Sequence, residues 1–164
     1  MWLEGSCRCG GVHFSCATRT PYPFMRCYCS LCRKTNGGGG YAVAIMADAA
    51  SLRVEGDEHI GIFRAEIDGK ETPGGRRFCR QCGCHLWNHD PRWPDAIYPS
   101  ASAIDTALPV PPETVHIMLD FKAEWVTVPD GPTDHHFARY PDESIEDWHK
   151  RHRLTEPQTE GDPA

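Results

Sequence analysis

Three cysteines stand within six consecutive residues, in the segment Cys27-Tyr28-Cys29-Ser30-Leu31-Cys32. Thiolates are the soft ligands that zinc prefers. Because the three are so close in sequence, they can reach one ion only from a tight turn or knuckle. Zinc in proteins is usually four-coordinate, so three protein ligands leave one position open, as in catalytic zinc sites. The segment therefore predicts an open zinc site at Cys27, Cys29 and Cys32.

A second set of cysteines has the spacing of a closed site. Cys79 and Cys82 are separated by two residues, as in a zinc ribbon, and Cys7 and Cys9 form a glycine-flanked pair near the start. On its own, the first pair is equally compatible with a glycine-rich turn that holds two buried thiols. Together the two pairs predict a structural Cys₄ zinc site. The entropy cost of closing the long loop between them grows only logarithmically, and zinc binding of about 10–16 kcal/mol can offset it.

Other residues near these motifs have less specific roles. Cys16 is expected to be a buried strand thiol, and Cys84 is either a packed thiol, a spare ligand or a redox partner. If the three-cysteine site took a fourth protein ligand, His85 would be the first candidate. Arg33 and Lys34 follow Cys32, where a cation lowers a thiol pKa and can hold a substrate carboxylate. The alternative for these two is an ordinary solvated pair.

The bulk composition limits the function classes. The chain has 164 residues, of which 40% are hydrophobic, which suits one globular domain. Its net charge of −6 argues against a nucleic-acid partner. No apolar run is long enough to cross a membrane. The first residues lack the features of a signal peptide, so we expect a cytoplasmic location, where thiols stay reduced.

Many short alternating segments predict a mainly β fold. The expected strands include 41–46 and a closing strand at 125–128, whereas the polar segment 68–75 is expected to be a loop. After residue 140, apolar and aromatic residues at helical spacing predict a short C-terminal helix. We expect one zinc-binding domain at 3–131, a C-terminal extension with this helix at 132–154, and a disordered tail at 155–164.

Four segments, in this order, resemble the family of glutathione-dependent formaldehyde-activating enzymes and centromere protein V. The resemblance covers roughly residues 3 to 131, and its three cysteine motifs are specific. The four segments are Gly5-Ser6-Cys7-Arg8-Cys9-Gly10, Cys27-Tyr28-Cys29-Ser30-Leu31-Cys32-Arg33-Lys34, Arg77-Phe78-Cys79-Arg80-Gln81-Cys82-Gly83 with Leu86-Trp87, and His116-Ile117 with Lys122-Ala123-Glu124-Trp125 and Pro129-Asp130-Gly131.

The resemblance implies a tent-like, mostly β fold with two zinc ions. It assigns the structural zinc to Cys7, Cys9, Cys79 and Cys82, and the catalytic zinc to Cys27, Cys29 and Cys32. The implied activity is that of a carbon–sulfur lyase, similar to S-hydroxymethylglutathione synthase, which joins the thiol of glutathione to formaldehyde. The carboxylates of glutathione would need a cation at the site, and the candidates are Arg26, Arg33, Lys34, Arg76 and Arg77.

Two other function classes fit the same motifs. One is a non-catalytic zinc module that binds glutathione or a protein partner, and the other is a structural domain with two fully ligated zinc ions. The sequence leaves the oligomeric state open.

Overall fold

The computed structural model of the chain describes residues 1–156. Within them it has twelve β-strands, two α-helices and four short 3₁₀ segments. The strands are β1 (Trp2–Ser6), β2 (His13–Ala17), β3 (Met25–Cys27), β4 (Ala42–Val43), β5 (Ala47–Asp48), β6 (Arg53–Glu55), β7 (Ile60–Ile67), β8 (Lys70–Cys79), β9 (His85–His89), β10 (Ala96–Pro99), β11 (Thr114–Ile117) and β12 (Asp134–His136). The helices are α1 (Ser30–Asn36) and α2 (Ile145–His152).

The strands form three sheets. The first has the order β1-β2-β6 and the second β5-β10-β9-β8-β7, and all their pairs are antiparallel. The third has the order β12-β11-β3-β4, in which β11 runs parallel to both β12 and β3. The predicted mainly β class and the short C-terminal helix are therefore confirmed.

The first core lies between the first two sheets. Alternate residues of β2 point inward, so that Phe14 and Cys16 pack with Leu86 and Trp87 of β9. The Phe14 and Trp87 ring centroids are 5.4 Å apart. Cys16 is completely buried, as expected, and this burial raises the pKa of its thiol to about 12. Cys16 is therefore a packing residue of this core.

The second core joins the third sheet to α2. Trp148 of α2 stacks on Phe24 with ring centroids 3.8 Å apart and planes 7° from parallel. Val115 and Ile117 of β11 complete the cluster. The helix begins at Ser144, whose hydroxyl accepts the Asp147 N–H, and this cap satisfies one free donor of the first turn.

Glu113 holds α2 against the third sheet. Its Oε1 accepts hydrogen bonds from Trp148 Nε1 at 2.7 Å and from Arg151 at 2.8 Å, and lies 3.0 Å from His152 Nε2. Its Oε2 lies 3.1 Å from His135 Nε2. Burial raises the pKa of Glu113, but the hydrogen bonds from Arg151, His152 and Trp148 outweigh it and lower the pKa to about 2.

Two predicted elements are wrong. The segment 68–75 is not a loop, because β8 begins at Lys70 and pairs Lys70 with Ile67 across a tight hairpin turn. Asp68 and Gly69 both have positive φ, as a two-residue hairpin turn requires. The segment 125–128 is not a strand. It lies in a turn where Lys122 Nζ donates to the Val126 carbonyl, and β12 takes the edge beside β11 instead.

Neither helix in residues 1–156 is long and apolar enough to span a bilayer. From residue 157 onward, the predicted tail at 155–164 lies outside the described residues.

Replacing Glu113 by Gln should lower the free energy of unfolding by about 1–3 kcal/mol at pH 7, because three donors lose an ionised partner. The folded-state pKa is depressed, so this stability is present above pH 4.5, the ordinary value, and is lost as pH falls toward about 2. Urea unfolding at pH 7 and pH 3 should therefore show a difference between wild type and Glu113→Gln that shrinks at pH 3. The exposed Glu124→Gln is the matched control, and an equal loss in that variant would contradict the anchoring role.

Candidate functional site

Four cysteines meet at the junction of the first two sheets. Cys7 and Cys9 lie in the turn after β1, Cys79 ends β8, and Cys82 lies in the turn before β9. Their sulfurs all lie within 4.8 Å of one another. Cys9 Sγ is 3.4 Å from Cys7 Sγ and 3.7 Å from Cys79 Sγ, although Cys9 and Cys79 are 70 residues apart. Tetrahedral zinc with bonds of about 2.3 Å separates its sulfurs by roughly 3.8 Å, so this donor set fits the ion.

Backbone N–H groups stabilise negative charge on these sulfurs. The Val12 N–H donates to Cys7 Sγ at 3.2 Å. A backbone hydrogen bond from Cys84 lowers the pKa of Cys82 to about 6. Gly83 has a φ of +73°, which a side chain would make unfavourable, and this turn brings Cys82 back toward Cys79. The local backbone is therefore shaped to present thiolates to a metal ion.

The three-cysteine set lies at the start of α1. Cys27 ends β3, Cys29 is the N-cap of α1, and Cys32 lies in its first turn. The three sulfurs lie within 4.8 Å of one another. Across the described residues, this group takes no fourth His, Cys, Asp or Glu, and His85 lies outside it. The structure therefore brings together the three predicted ligands, in an arrangement that could hold a metal ion with one position open.

Charge within this set is concentrated at Cys29. The Cys32 N–H donates to Cys29 Sγ at 3.4 Å. The Cys27 and Cys32 thiols donate to the same sulfur, and together these contacts lower the pKa of Cys29 to about 2. The pKa of Cys27 is raised because its thiol is a donor to Cys29. The hydrogen bonds within the set therefore favour the thiolate form of Cys29.

A buried hydrogen-bond chain links the three-cysteine set to the third sheet. Tyr28, between Cys27 and Cys29, is fully buried, and its hydroxyl lies 2.8 Å from His116 Nδ1. His116 Nε2 lies 2.7 Å from Asp134 Oδ1, and Asp134 also accepts the Gly131 N–H. An ionised carboxylate can only accept, so His116 Nε2 carries the hydrogen and Nδ1 accepts from Tyr28.

The parallel pairing of β3 with β11 positions the residues of this hydrogen-bond chain. Ile117 lies opposite Cys27, and the Ile117 carbonyl accepts the Tyr28 N–H at 3.1 Å. Burial lowers the pKa of His116, although the hydrogen bond to Asp134 opposes this shift. The pKa of Asp134 is lowered by its hydrogen bond with His116. Tyr28 is therefore fixed at both its backbone and its hydroxyl.

A cavity of about 90 Å³ lies beside two of the three sulfurs, those of Cys27 and Cys32. Its other wall comes from the second sheet, which contributes Arg76, His85 and Asn88. The remaining lining residues are Met25, Thr35, Asn36, Ala42, Val43, Ala44 and Ile145. The cavity thus joins the candidate metal site to polar side chains from a different sheet.

His85 lines the cavity and has a ring nitrogen without a hydrogen-bond partner among the described residues. Its Nε2 lies 3.0 Å from Asn88 Oδ1, and because that amide oxygen only accepts, Nε2 carries the hydrogen. Its buried Nδ1 has no hydrogen-bond partner among the described residues. Burial lowers the pKa of His85, which keeps the ring neutral. The Nδ1 lone pair is therefore free to accept a proton or a hydrogen bond.

The cations predicted to contact substrate lie in different places. Arg33 and Lys34 are in the last turn of α1, and neither lines the cavity, whereas Arg76 does. Cys84 is half-buried and lies outside both cysteine groups. Sequence reasoning missed Asn88, which contacts His85 on its own strand, and Asp134, which contacts His116 on the neighbouring strand, because no local motif marks either residue.

Comparison with known proteins identifies the family that has this arrangement. The family model for the glutathione-dependent formaldehyde-activating enzyme matches residues 2–120. The chain belongs to this family. That agrees with the resemblance found in the four sequence segments, and the match includes all seven cysteines of the two groups.

Individual relatives agree with this assignment. A protein from Halomonas elongata is 56% identical over 156 residues, which is 95% of this chain and 99% of the relative, and it carries the provisional name of a glutathione-dependent formaldehyde-activating enzyme. A crystal structure of a Rhodobacter sphaeroides protein has a TM-score of 0.52 at 24% identity, covering 65% of this chain and 91% of the other. That likeness supports the fold.

The wild-type chain should bind about two metal ions when it is purified under reducing conditions, and Cys29→Ala should bind about one. The loss follows because two sulfurs cannot hold the ion that three hold. Metal content is measured by plasma emission spectrometry, with circular dichroism as the check of folding. Cys84→Ser is the matched control and should keep both ions. A folded Cys29→Ala variant with wild-type metal content would contradict the site.

Tyr28→Phe should weaken metal binding at the three-cysteine set by roughly 10- to 100-fold, as loss of an outer hydrogen-bond partner does elsewhere. The change removes one hydroxyl and leaves His116 Nδ1 unpaired in a buried position. Competition with a chromophoric chelator measures the affinity. Tyr98→Phe removes a hydroxyl that is not part of the hydrogen-bond chain from Tyr28 to Asp134, and it should leave the affinity unchanged. Equal affinities for Tyr28→Phe and wild type would show that the hydrogen bond does not position the sulfurs.

Proposed function

We propose that this protein is a zinc-dependent carbon–sulfur lyase that adds the thiol of glutathione to formaldehyde and cleaves the adduct in reverse. The observation that carries this proposal is the three-cysteine set, two of whose members, Cys27 and Cys32, line a small cavity together with Arg76 and His85. Membership of the glutathione-dependent formaldehyde-activating enzyme family supports the two substrates.

The reaction forms one S–C bond and breaks the π bond of the carbonyl. The proton that leaves the thiol ends on the former carbonyl oxygen, so that S-hydroxymethylglutathione has the atoms of both substrates. Zinc held by Cys27, Cys29 and Cys32 would supply a Lewis acid, which lowers the pKa of a thiol and polarises a carbonyl. A second zinc, held by Cys7, Cys9, Cys79 and Cys82, would be structural.

We assign the proton transfer in this reaction to His85. Its neutral ring presents a free Nδ1 lone pair, and Asn88 fixes the other nitrogen as a donor. In the forward direction Nδ1 accepts the proton from the substrate thiol, and the same nitrogen then returns it to the oxygen. Burial keeps water from competing for that lone pair.

The cavity size restricts what reacts there. The cavity has a volume of about 90 Å³. It accommodates the sulfur and the one-carbon aldehyde but not the body of a tripeptide, so the rest of glutathione lies outside. Arg76 at the cavity wall and Arg33 and Lys34 on α1 are the cations we propose for its two carboxylates.

We also propose a domain organisation and a cellular location for the protein. We place the catalytic domain at 3–131 and a C-terminal extension at 132–154. We propose a cytoplasmic location, where thiols stay reduced.

A non-catalytic module that binds glutathione is the alternative, since thiols also add to formaldehyde without a catalyst.

The wild-type protein should accelerate exchange between free glutathione and its formaldehyde adduct, measured by two-dimensional exchange NMR against the uncatalysed rate. His85→Gln should lower the enzymatic rate by about 10²–10⁴-fold while both metal ions are retained, because it loses the proton acceptor. His13→Gln, at an exposed histidine, is the matched control. Tight binding of glutathione with no acceleration of exchange would overturn the enzyme proposal and favour the binding module.

A further inference from the structure

Tyr140 is an exposed aromatic residue on a segment that is held in place by its neighbour. The residue is 69% exposed, and among residues 1–156 its hydroxyl has no hydrogen-bond partner. The preceding residue, Arg139, accepts the Met118 N–H on its carbonyl at 3.0 Å, and its Nε donates to Asp120 Oδ2 at 2.9 Å. The Arg139 guanidinium also lies 4.3 Å from the centroid of the Phe121 ring. The backbone that carries Tyr140 is therefore fixed, although its side chain is exposed.

The same contacts place Tyr140 at the edge of the third sheet where the three-cysteine set lies. Met118 directly follows Ile117, and Ile117 pairs with Cys27 at the end of β3. Because β3 and β11 run parallel, both strands end at this edge, and α1 begins there as well. Further along the chain, Ile145 of α2 lines the cavity beside the sulfurs. Tyr140 therefore lies between two segments that reach the site, although it does not line the cavity itself.

The charges that act on the Tyr140 hydroxyl agree with this position. Burial around the hydroxyl raises the pKa of Tyr140, and the negative charges of the three cysteine sulfurs raise it further, whereas the charge of Arg76 opposes the shift. Because interactions between charges weaken with distance, the hydroxyl lies near both the sulfurs and Arg76. A phenol with a raised pKa keeps its proton at neutral pH, so the hydroxyl can donate a hydrogen bond to an anion.

Arg76 is a cation without a partner at the same place. It lines the cavity, is half-buried, and forms no hydrogen bond or ion pair within the described part of the chain. Arg92, whose charge also interacts with Tyr140, is by contrast already paired with Asp90 through two hydrogen bonds of 3.0 and 2.6 Å. A guanidinium binds a carboxylate more strongly than a neutral acceptor. Arg76 and the Tyr140 hydroxyl therefore provide a positive charge and a donor for one carboxylate.

We propose that Tyr140 and Arg76 form a subsite for a carboxylate of glutathione beside the cavity, and that Tyr140 thereby selects glutathione over thiols without a carboxylate. This inference rests on the proposed function, which places the glutathione sulfur in the cavity and the rest of the tripeptide outside it. The Tyr140 hydroxyl donates to the carboxylate, Arg76 supplies the positive charge, and the exposed ring covers part of the peptide. Tyr140 lies beyond residues 2–120, so the family match itself does not assign this role.

Isothermal titration calorimetry of the metal-loaded full chain, with glutathione and with its dimethyl ester, tests the subsite. The wild-type protein should bind glutathione at least about tenfold more tightly than the ester, because the ester has lost the charges that the subsite binds. Tyr140→Phe should weaken glutathione binding by about 3- to 10-fold and leave ester binding unchanged, because it loses one hydrogen bond to the carboxylate. Tyr140→Ala should weaken glutathione binding further, since the ring contact is lost as well.

Tyr22→Phe is the matched control, because it removes a hydroxyl from the second core, and it should keep both affinities. Metal content and circular dichroism check that each variant is folded and loaded. Equal glutathione affinity in wild type and both Tyr140 variants would overturn the subsite. A Tyr140→Phe variant that loses the same factor for glutathione and for the ester would overturn it as well, because the effect would then not involve the carboxylate.

Exchange NMR separates a failure of the subsite from a failure of the proposed reaction. Accelerated exchange in a protein whose Tyr140 variants keep wild-type affinity would refute the subsite alone. Loss of the preference for glutathione over the ester in Tyr140→Phe, in a protein that accelerates no exchange, would support the subsite and refute the enzyme. A wild-type protein that binds no glutathione would overturn the subsite too.

Discussion

The convergence of four cysteine sulfurs on one point is the constraint on which the rest of the structure depends. It fixes the turn after β1 against the turn that joins β8 to β9, and these segments belong to different sheets. Four thiols within 4.8 Å of one another have little reason to stay together unless an ion is shared among them. Both walls of the first core, including the contact of Phe14 with Trp87, depend on this attachment.

The candidate reaction site depends on the same attachment, although none of those four cysteines lines its cavity. The three sulfurs at the start of α1 are placed by the third sheet, through the parallel pairing of β3 with β11. The facing polar groups, Arg76 and His85, come from the second sheet. A shift of the second sheet would therefore separate His85 from the three sulfurs without changing either motif. Under the proposed function, this dependence accounts for the presence of a four-cysteine set and a three-cysteine set in one small chain.

The sequence predicted the two cysteine sets well because ligand spacing is a local property. Three thiols in six residues, or two separated by two, can be recognised without knowing the fold. The hydrogen-bond chain from Tyr28 through His116 to Asp134 could not be found in this way, since Tyr28 and His116 are 88 residues apart in the sequence. The same limitation explains the wrong strand at 125–128. That segment has strand composition, but Asp134–His136 makes the parallel pairing with β11.

Residues after the family match are structurally part of the site. The match ends at residue 120, yet Asp134 ends the hydrogen-bond chain and Ile145 of α2 lines the cavity. Glu113, inside the match, holds α2 through Trp148 and Arg151. The helix is thus fixed by a carboxylate to the part of the fold that the family model matches, and its residue Ile145 lines the cavity. Because Ile145 lines a cavity of about 90 Å³, the proposed reaction assigns its side chain a role in limiting the size of the aldehyde.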